Sequence, residues 1–179
     1  MTPKQKREDA LGMAAHEVGH ALVTLYYGSP SSAVILWMTP GYDRPDFSEN
    51  IKYVSGKNLS DHHAWSRMEI AAVGYAGKIA ERMYFDQYAE MDPDTFWKEI
   101  NGSETCWSDE DRALINNVPQ ERQREAFGRA YTFLNNNFDS IKRYTDWITE
   151  DFTNNEHNER HYIITSIPFV DPVAETVST

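Results

Sequence analysis

Two histidines and a glutamate within one apolar stretch, Ala14-Ala15-His16-Glu17-Val18-Gly19-His20-Ala21-Leu22, are the residues of this chain best suited to chemistry. On a helix, residues four apart lie one turn apart on one face, so His16 and His20 can close on a single metal ion. In the His-Glu-x-x-His pattern the glutamate, here Glu17, lies beside the metal-activated water as the general base of a hydrolase. Leu11, Ala14, Ala15, Val18, Ala21, Leu22, Val23 and Leu25 surround these groups, which predicts a helix apolar on most sides and buried. Unpartnered polar groups in such a place cost roughly 1–3 kcal/mol each. The alternative to a metal is a pair of core histidines satisfied by hydrogen bonds.

A catalytic zinc needs three protein ligands and a water. Between Leu22 and Tyr27 the chain offers only Thr24 and two tyrosines, so any third ligand comes from later in the sequence. Cysteine does not supply a cage, because Cys106 is the single cysteine of 179 residues. That count also excludes an intramolecular disulfide.

The helix carrying the motif is expected to begin near Thr2 or Pro3 and to run through Tyr26 or Tyr27, where Gly28-Ser29-Pro30 stops it. Val34 to Trp37 reads as a short strand and Ile51 to Val54 as a second one, paired across an exposed loop from Thr39 to Asn50. From Ser60 or Asp61 to about Phe85 the pattern is helical. Ile70, Val73, Gly74, Gly77, Ala80 and Tyr84 give it a face of small residues that lets another helix approach closely. Gly19 and Ala21 are small where the Gly77–Ala80 face is expected to pack. Asp86 to Trp107 is loop-like with a short helix around Thr95–Ile100. Ser108 caps a further helix that Pro119 breaks. Helices follow over Gln120–Asn135 and Phe138–Phe152, with Ile141, Tyr144, Ile148 and Phe152 along one side of the second. Beyond Asn154 periodicity is lost; Tyr162 to Ile167 is a possible strand, and the last ten residues are expected to be disordered.

Hydrophobic residues make up 40% of the chain, enough for one folded domain with a core. Against 17 basic residues stand 28 acidic ones, and a net charge of −11 argues against sequence-independent binding to nucleic acid or anionic lipid. No run approaches the roughly 18 apolar residues of a membrane span, and the charged N-terminus lacks a signal-peptide core. A soluble, cytoplasmic protein without membrane contact is the expectation.

The motif and its surroundings resemble a known family. His16 to Val23 is similar to the zinc helix of the FtsH-type metallopeptidases, typically His-Glu-Ala-Gly-His-Ala. Ala76-Gly77-Lys78-Ile79-Ala80-Glu81-Arg82 is similar to that family's Gly-Gly-Arg-x-Ala-Glu segment, which packs against the zinc helix. Ser108 to Ala113 occupies the place of its Ser-Asn-Asp helix start, and Ala126 to Ser140 resembles the helix that follows. The likeness runs in order from about Asp9 to Phe152.

It implies a mainly α (α+β), zincin-like helical peptidase domain over residues 1–153, with a two- or three-stranded sheet near the motif helix. Residues 154–179 form a partly irregular C-terminal extension. It also implies one Zn2+ per chain, held by His16, His20 and an aspartate from the segment after Ser108. The family's lead-in Gly-Ala is replaced here by Cys106-Trp107, and two aspartates compete. Asp109 is preferred, because Ala113 then falls one turn later, as a small residue does in the family; Asp111 is the alternative. Glu81 reads either as a carboxylate orienting a zinc histidine or as a partner of Lys78 or of Arg82's neighbours.

The implied activity is hydrolysis of flexible or unfolded polypeptides. About fifteen residues precede the motif, which leaves no room for the family's ATPase and membrane parts, so an ATP-independent enzyme is expected. Substrate addition along a strand edge at Val34–Trp37 would read backbone rather than side chains. The rival reading is a catalytically silent, metal-containing binding or regulatory module of the same fold. His157 and His161, His62-His63, Cys106 and the five tryptophans are read as solvated or packing residues rather than as sites.

Overall fold

The computed structural model describes residues 2–40, 52–59, 65–86, 92–101, 107–155, 159–171 and 173–175. Thr2 caps the first helix, α1 (Pro3–Tyr26), through a reciprocal capping box with Gln5, and the chain leaves it through Gly28 at φ +94°. That conformation suits glycine, which has no Cβ to clash. Strands β1 (Ser32–Pro40) and β2 (Lys52–Leu59) pair antiparallel with Leu36 opposite Gly56. Helices α2 (Arg67–Asp86), α3 (Pro93–Asn101), α4 (Asp109–Ile115), α5 (Gln120–Asn136) and α6 (Phe138–Asn154) follow. Strands β3 (Glu159–Ile164) and β4 (Val173–Glu175) complete a sheet of order β2-β1-β3-β4.

The architecture is mainly helical with a small antiparallel sheet beside the motif helix, as expected, with a fourth, three-residue strand added. The chain after 153 does more than extend the fold. β3 lies against β1, and its inward residues Arg160, Tyr162 and Ile164 are buried. Arg160 and the Tyr162 hydroxyl both donate to Asp151 Oδ2 on α6, at 2.7 and 3.1 Å. A charged pair enclosed in this way must be matched locally, and it ties the last strands to α6. Residues 173–175, expected to be disordered, pair with β3 as β4. The expected loop over 41–50, Ile51 and the helical start over 60–64 lie outside the described residues.

Helix α1 is the hub. It packs on α2 and α6 and borders β1 and β2. Ala14, Ala15, Val18, Ala21, Leu22 and Val23 are fully buried, as their pattern predicts. Contact with α2 is a backbone approach: a Cβ on Gly19 would fall 2.5 Å from the Ala80 Cβ and would overlap the Ala76 carbonyl. Among the described residues, no helix is long and apolar enough to cross a membrane.

Two glycines in helices therefore behave oppositely. In a free helix Gly→Ala gains about 1 kcal/mol. Gly128 in α5 has nothing near its missing Cβ, so Gly128→Ala raises the thermal midpoint by roughly 2–4 °C. At Gly19 overpacking prevails, and Gly19→Ala costs about 3 kcal/mol and lowers the midpoint by roughly 6–12 °C. Thermal denaturation of the two variants checks both signs; a neutral Gly19→Ala would mean that α1 and α2 do not pack this closely.

Candidate metal centre

One face of α1 carries His16 and His20 toward α2 and the first turn of α4. His20 Nδ1 donates to the Val73 carbonyl at 2.8 Å, which leaves Nε2 as the free nitrogen. His16 Nδ1 lies 3.4 Å from Glu81 Oε2, and its Nε2 also points inward. The two Nε2 atoms are 3.1 Å apart. Asp111 closes the set, with Oδ1 at 3.1 Å from His20 Nε2 and Oδ2 at 3.3 Å from His16 Nε2.

Between Asp109 and Asp111 the geometry favours the one not preferred from sequence. Two residues along a helix are separated by roughly 200° of rotation. When Asp111, 3% exposed, faces the histidines, Asp109 must face away, and it is exposed on α4. The spacing to Ala113 that favoured Asp109 has no bearing here, because Leu114 and Ile115 are the α4 side chains that pack over Gly74 of α2. Asp111 is held from its backbone as well, its N–H donating to Ser108 Oγ at 2.9 Å. Trp107 rests edge-on against Tyr75 with ring centroids 5.4 Å apart, and so anchors the entry to α4.

These donors suit one cation. His16, His20 and Asp111 form a group of ligand-type side chains whose donor atoms all lie within 4.8 Å. Zinc–ligand bonds of about 2.0–2.1 Å in a tetrahedron imply donor separations of roughly 3.3 Å, close to those observed. Protons alone serve the cluster poorly. With His20 Nδ1 donating to Val73, a proton on His16 Nε2 can satisfy either His20 or Asp111, and two lone pairs then confront each other. Asp111 Oδ2 is in fact buried without a well-aligned hydrogen bond, although His16 Nε2 is near it. A single positive ion would satisfy all three donors at once. Room is kept for them by Gly77, where any Cβ would overlap both Nε2 atoms.

The electrostatics follow from this crowding. Burial works to lower the His16 pKa, but hydrogen bonds to Asp111 and Glu81 and the charge of Glu17 outweigh it, and the pKa is pushed up to about 10. For Asp111 burial works upward, but the histidines hold the carboxyl well below the usual carboxylate range. Glu17, 6% exposed, has its pKa raised by burial against the opposing pull of His16 and His20. Burial of Glu81 is likewise outweighed, by His16 and Lys78, and its pKa is lowered. The two sequence readings of Glu81 are therefore one arrangement, since Lys78 Nζ donates to both of its oxygens at 3.1 Å while Oε2 faces His16.

His16, Glu17, His20, Glu81 and Asp111 line one cleft of about 590 Å3, bordered by Gly56, Lys57 and Asn58 of β2. A Cβ on Gly56 would fall 2.9 Å from Glu17 Cγ, so the strand passes directly over the glutamate. Among the described residues, the sheet edge beside the cleft is β2. Val34–Trp37, expected to offer that edge, belongs to β1, which is paired with β2 on one side and β3 on the other. The role of β2 was not legible because its residues Ser55 to Leu59 lack an apolar alternation. His161 sits in β3 with Nε2 2.9 Å from Glu159 Oε1; His62, His63, Cys106 and His157 lie outside the described residues. No protein-family model matches the chain, and no curated protein matches it.

In the metal-free chain the raised His16 pKa sets a pH dependence. The stability it contributes is fully present below its unfolded value, near 6.5, and is lost as pH rises through about 10. In chelator, the thermal midpoint therefore falls between about pH 6.5 and pH 10, and Asp111→Asn flattens that fall. Equal slopes for parent and variant would show that the two side chains are not coupled.

Proposed function

We propose that this chain is a zinc-dependent metalloendopeptidase that hydrolyses flexible or unfolded polypeptides without ATP. The observation that carries this reading is the convergence of His16 Nε2, His20 Nε2 and the Asp111 carboxylate at 3.1–3.3 Å, with Glu17 in the same cleft. It is the donor set of a catalytic rather than a structural zinc, three protein ligands with one position left for water. The order of these residues along the chain also fits the FtsH-type resemblance, with Asp111 in place of Asp109. A soluble, cytoplasmic setting accords with the acidic composition and single cysteine.

His16, His20 and Asp111 would hold the zinc, which would supply Lewis acidity and bring the pKa of a water toward about 7. His16 and His20 present their Nε2 atoms because Glu81 and the Val73 carbonyl engage the opposite nitrogens. Glu17, its carboxyl pKa raised by burial, accepts the proton of the attacking water and passes it to the departing amine. Gly56 and Lys57 of β2 line the cleft and offer an extended substrate a strand beside which to lie, in a cleft too small for a folded domain. Among the described residues, β1 is the strand paired with β2.

Metal analysis of the purified protein should find about one zinc per chain, lost on His16→Ala or His20→Ala. Asp111→Asn should weaken zinc binding at least about 100-fold, while Asp109→Asn leaves it unchanged. Glu17→Gln should keep the metal and slow casein cleavage by about 100-fold or more. Zinc retained by a parent protein that cleaves nothing would favour the binding or regulatory module, and absence of zinc from the parent would sink both readings.

A further inference from the structure

The two histidines are anchored differently. His20 Nδ1 donates to a main-chain carbonyl, Val73 O, at 2.8 Å, and a helix backbone in the core cannot swing away. The His16 Nδ1 partner is a side chain, Glu81, at 3.4 Å and 24% exposed, with solvent on its other side. A free glutamate there has rotamers that leave His16 altogether. It is held by Lys78, one turn earlier on α2, whose Nζ bonds Oε1 and Oε2 equally, at 3.1 Å. Because both oxygens are gripped, the carboxylate is pinned in its plane and Oε2 stays directed at the imidazole.

We infer that Lys78 is a positioning residue for the metal centre: by clamping Glu81 it fixes the ring orientation of His16, with Nδ1–H directed at Glu81 Oε2. This rests on the reading of His16 as a zinc ligand. The lysine also offsets charge, since Glu17, Glu81, Glu110 and Asp111 bring four carboxylates into one cleft, which Lys78 lines together with Lys57. Its effect is local to one ligand. Partners that orient metal-bound histidines are typically worth about 10–100-fold in metal affinity, and a residue acting one step further out is worth less.

The test compares the parent chain with Lys78→Met and Lys78→Arg, using zinc alone as the probe in competition with a chromophoric chelator. Lys78→Met should weaken zinc binding by about three- to tenfold, and Lys78→Arg, which keeps a cation able to grip both oxygens, should restore most of it. Imidazole 15N–1H spectra of the metal-free protein give a readout that general destabilisation would not move. In Lys78→Met the His16 Nδ1–H signal should broaden or vanish through exchange while that of His20 persists. Unchanged zinc affinity together with an unchanged His16 signal would overturn the role of Lys78, as would equal loss of both histidine signals. If the parent binds no zinc, the zinc reading fails by itself and the His16 signal still decides whether Lys78 holds the ring.

Discussion

His16 Nε2, His20 Nε2 and the Asp111 carboxylate lie within 3.1–3.3 Å of one another inside the fold, and groups of this kind repel unless something positive stands between them. Each would be better hydrated outside. Holding them together takes the rigidity of several elements, and the surrounding structure is arranged to provide it. Helix α1 supplies both histidines from one rigid face, α2 engages their outer nitrogens through Val73 and Glu81, and α4 brings in the carboxylate. In the metal-free chain a proton on His16 partly relieves the repulsion, which is why its pKa climbs to about 10. The same three donors are close enough together that they could hold a metal ion.

Small residues make the arrangement possible. Gly19 lets the motif helix touch the α2 backbone, Gly77 clears the space in front of the two Nε2 atoms, and Gly74 lets α4 come near enough for Asp111 to reach them. Gly56 does the same for the strand that crosses Glu17. Gly77 and Gly56 meet the histidines and Glu17 directly, while Gly19 and Gly74 set the helix contacts that bring α1 and α4 onto α2.

The motif helix, the small-residue face of α2 and the paired histidines with Glu17 were legible in sequence because each is local: periodicity within one helix predicts burial, and spacing of four predicts a shared face. What remained hidden depends on rotation and on partners distant in the chain. Asp109 and Asp111 are equivalent as residue types, and only the packing of Leu114 and Ile115 over Gly74 sets the α4 rotation that brings Asp111 inward. The sheet misled for a similar reason. Val34–Trp37 was recognised as strand from its apolar run, yet nothing within it says that β3, more than a hundred residues later, occupies its second edge. The polar β2 is then the strand beside the cleft.

Helix α4 shows how far the centre is a tertiary product. It has seven residues, and isolated helices shorter than about 12–15 residues are marginal in water. Its acidic first turn suits the helix N-terminus, but at the exposed Asp109 and Glu110 such effects supply only about 0.3–1 kcal/mol each. The Ser108 cap, Trp107 against Tyr75 and the close approach to Gly74 hold it in place. The Asp111 carboxylate therefore reaches the histidines only when α2 and its aromatic neighbours are packed. Tyr75 belongs to both networks, meeting Trp97, Trp107 and Phe127 on its ring while its own helix carries the anchors of both histidines. Core packing and the placement of His16, His20 and Asp111 thus pass through the same helix.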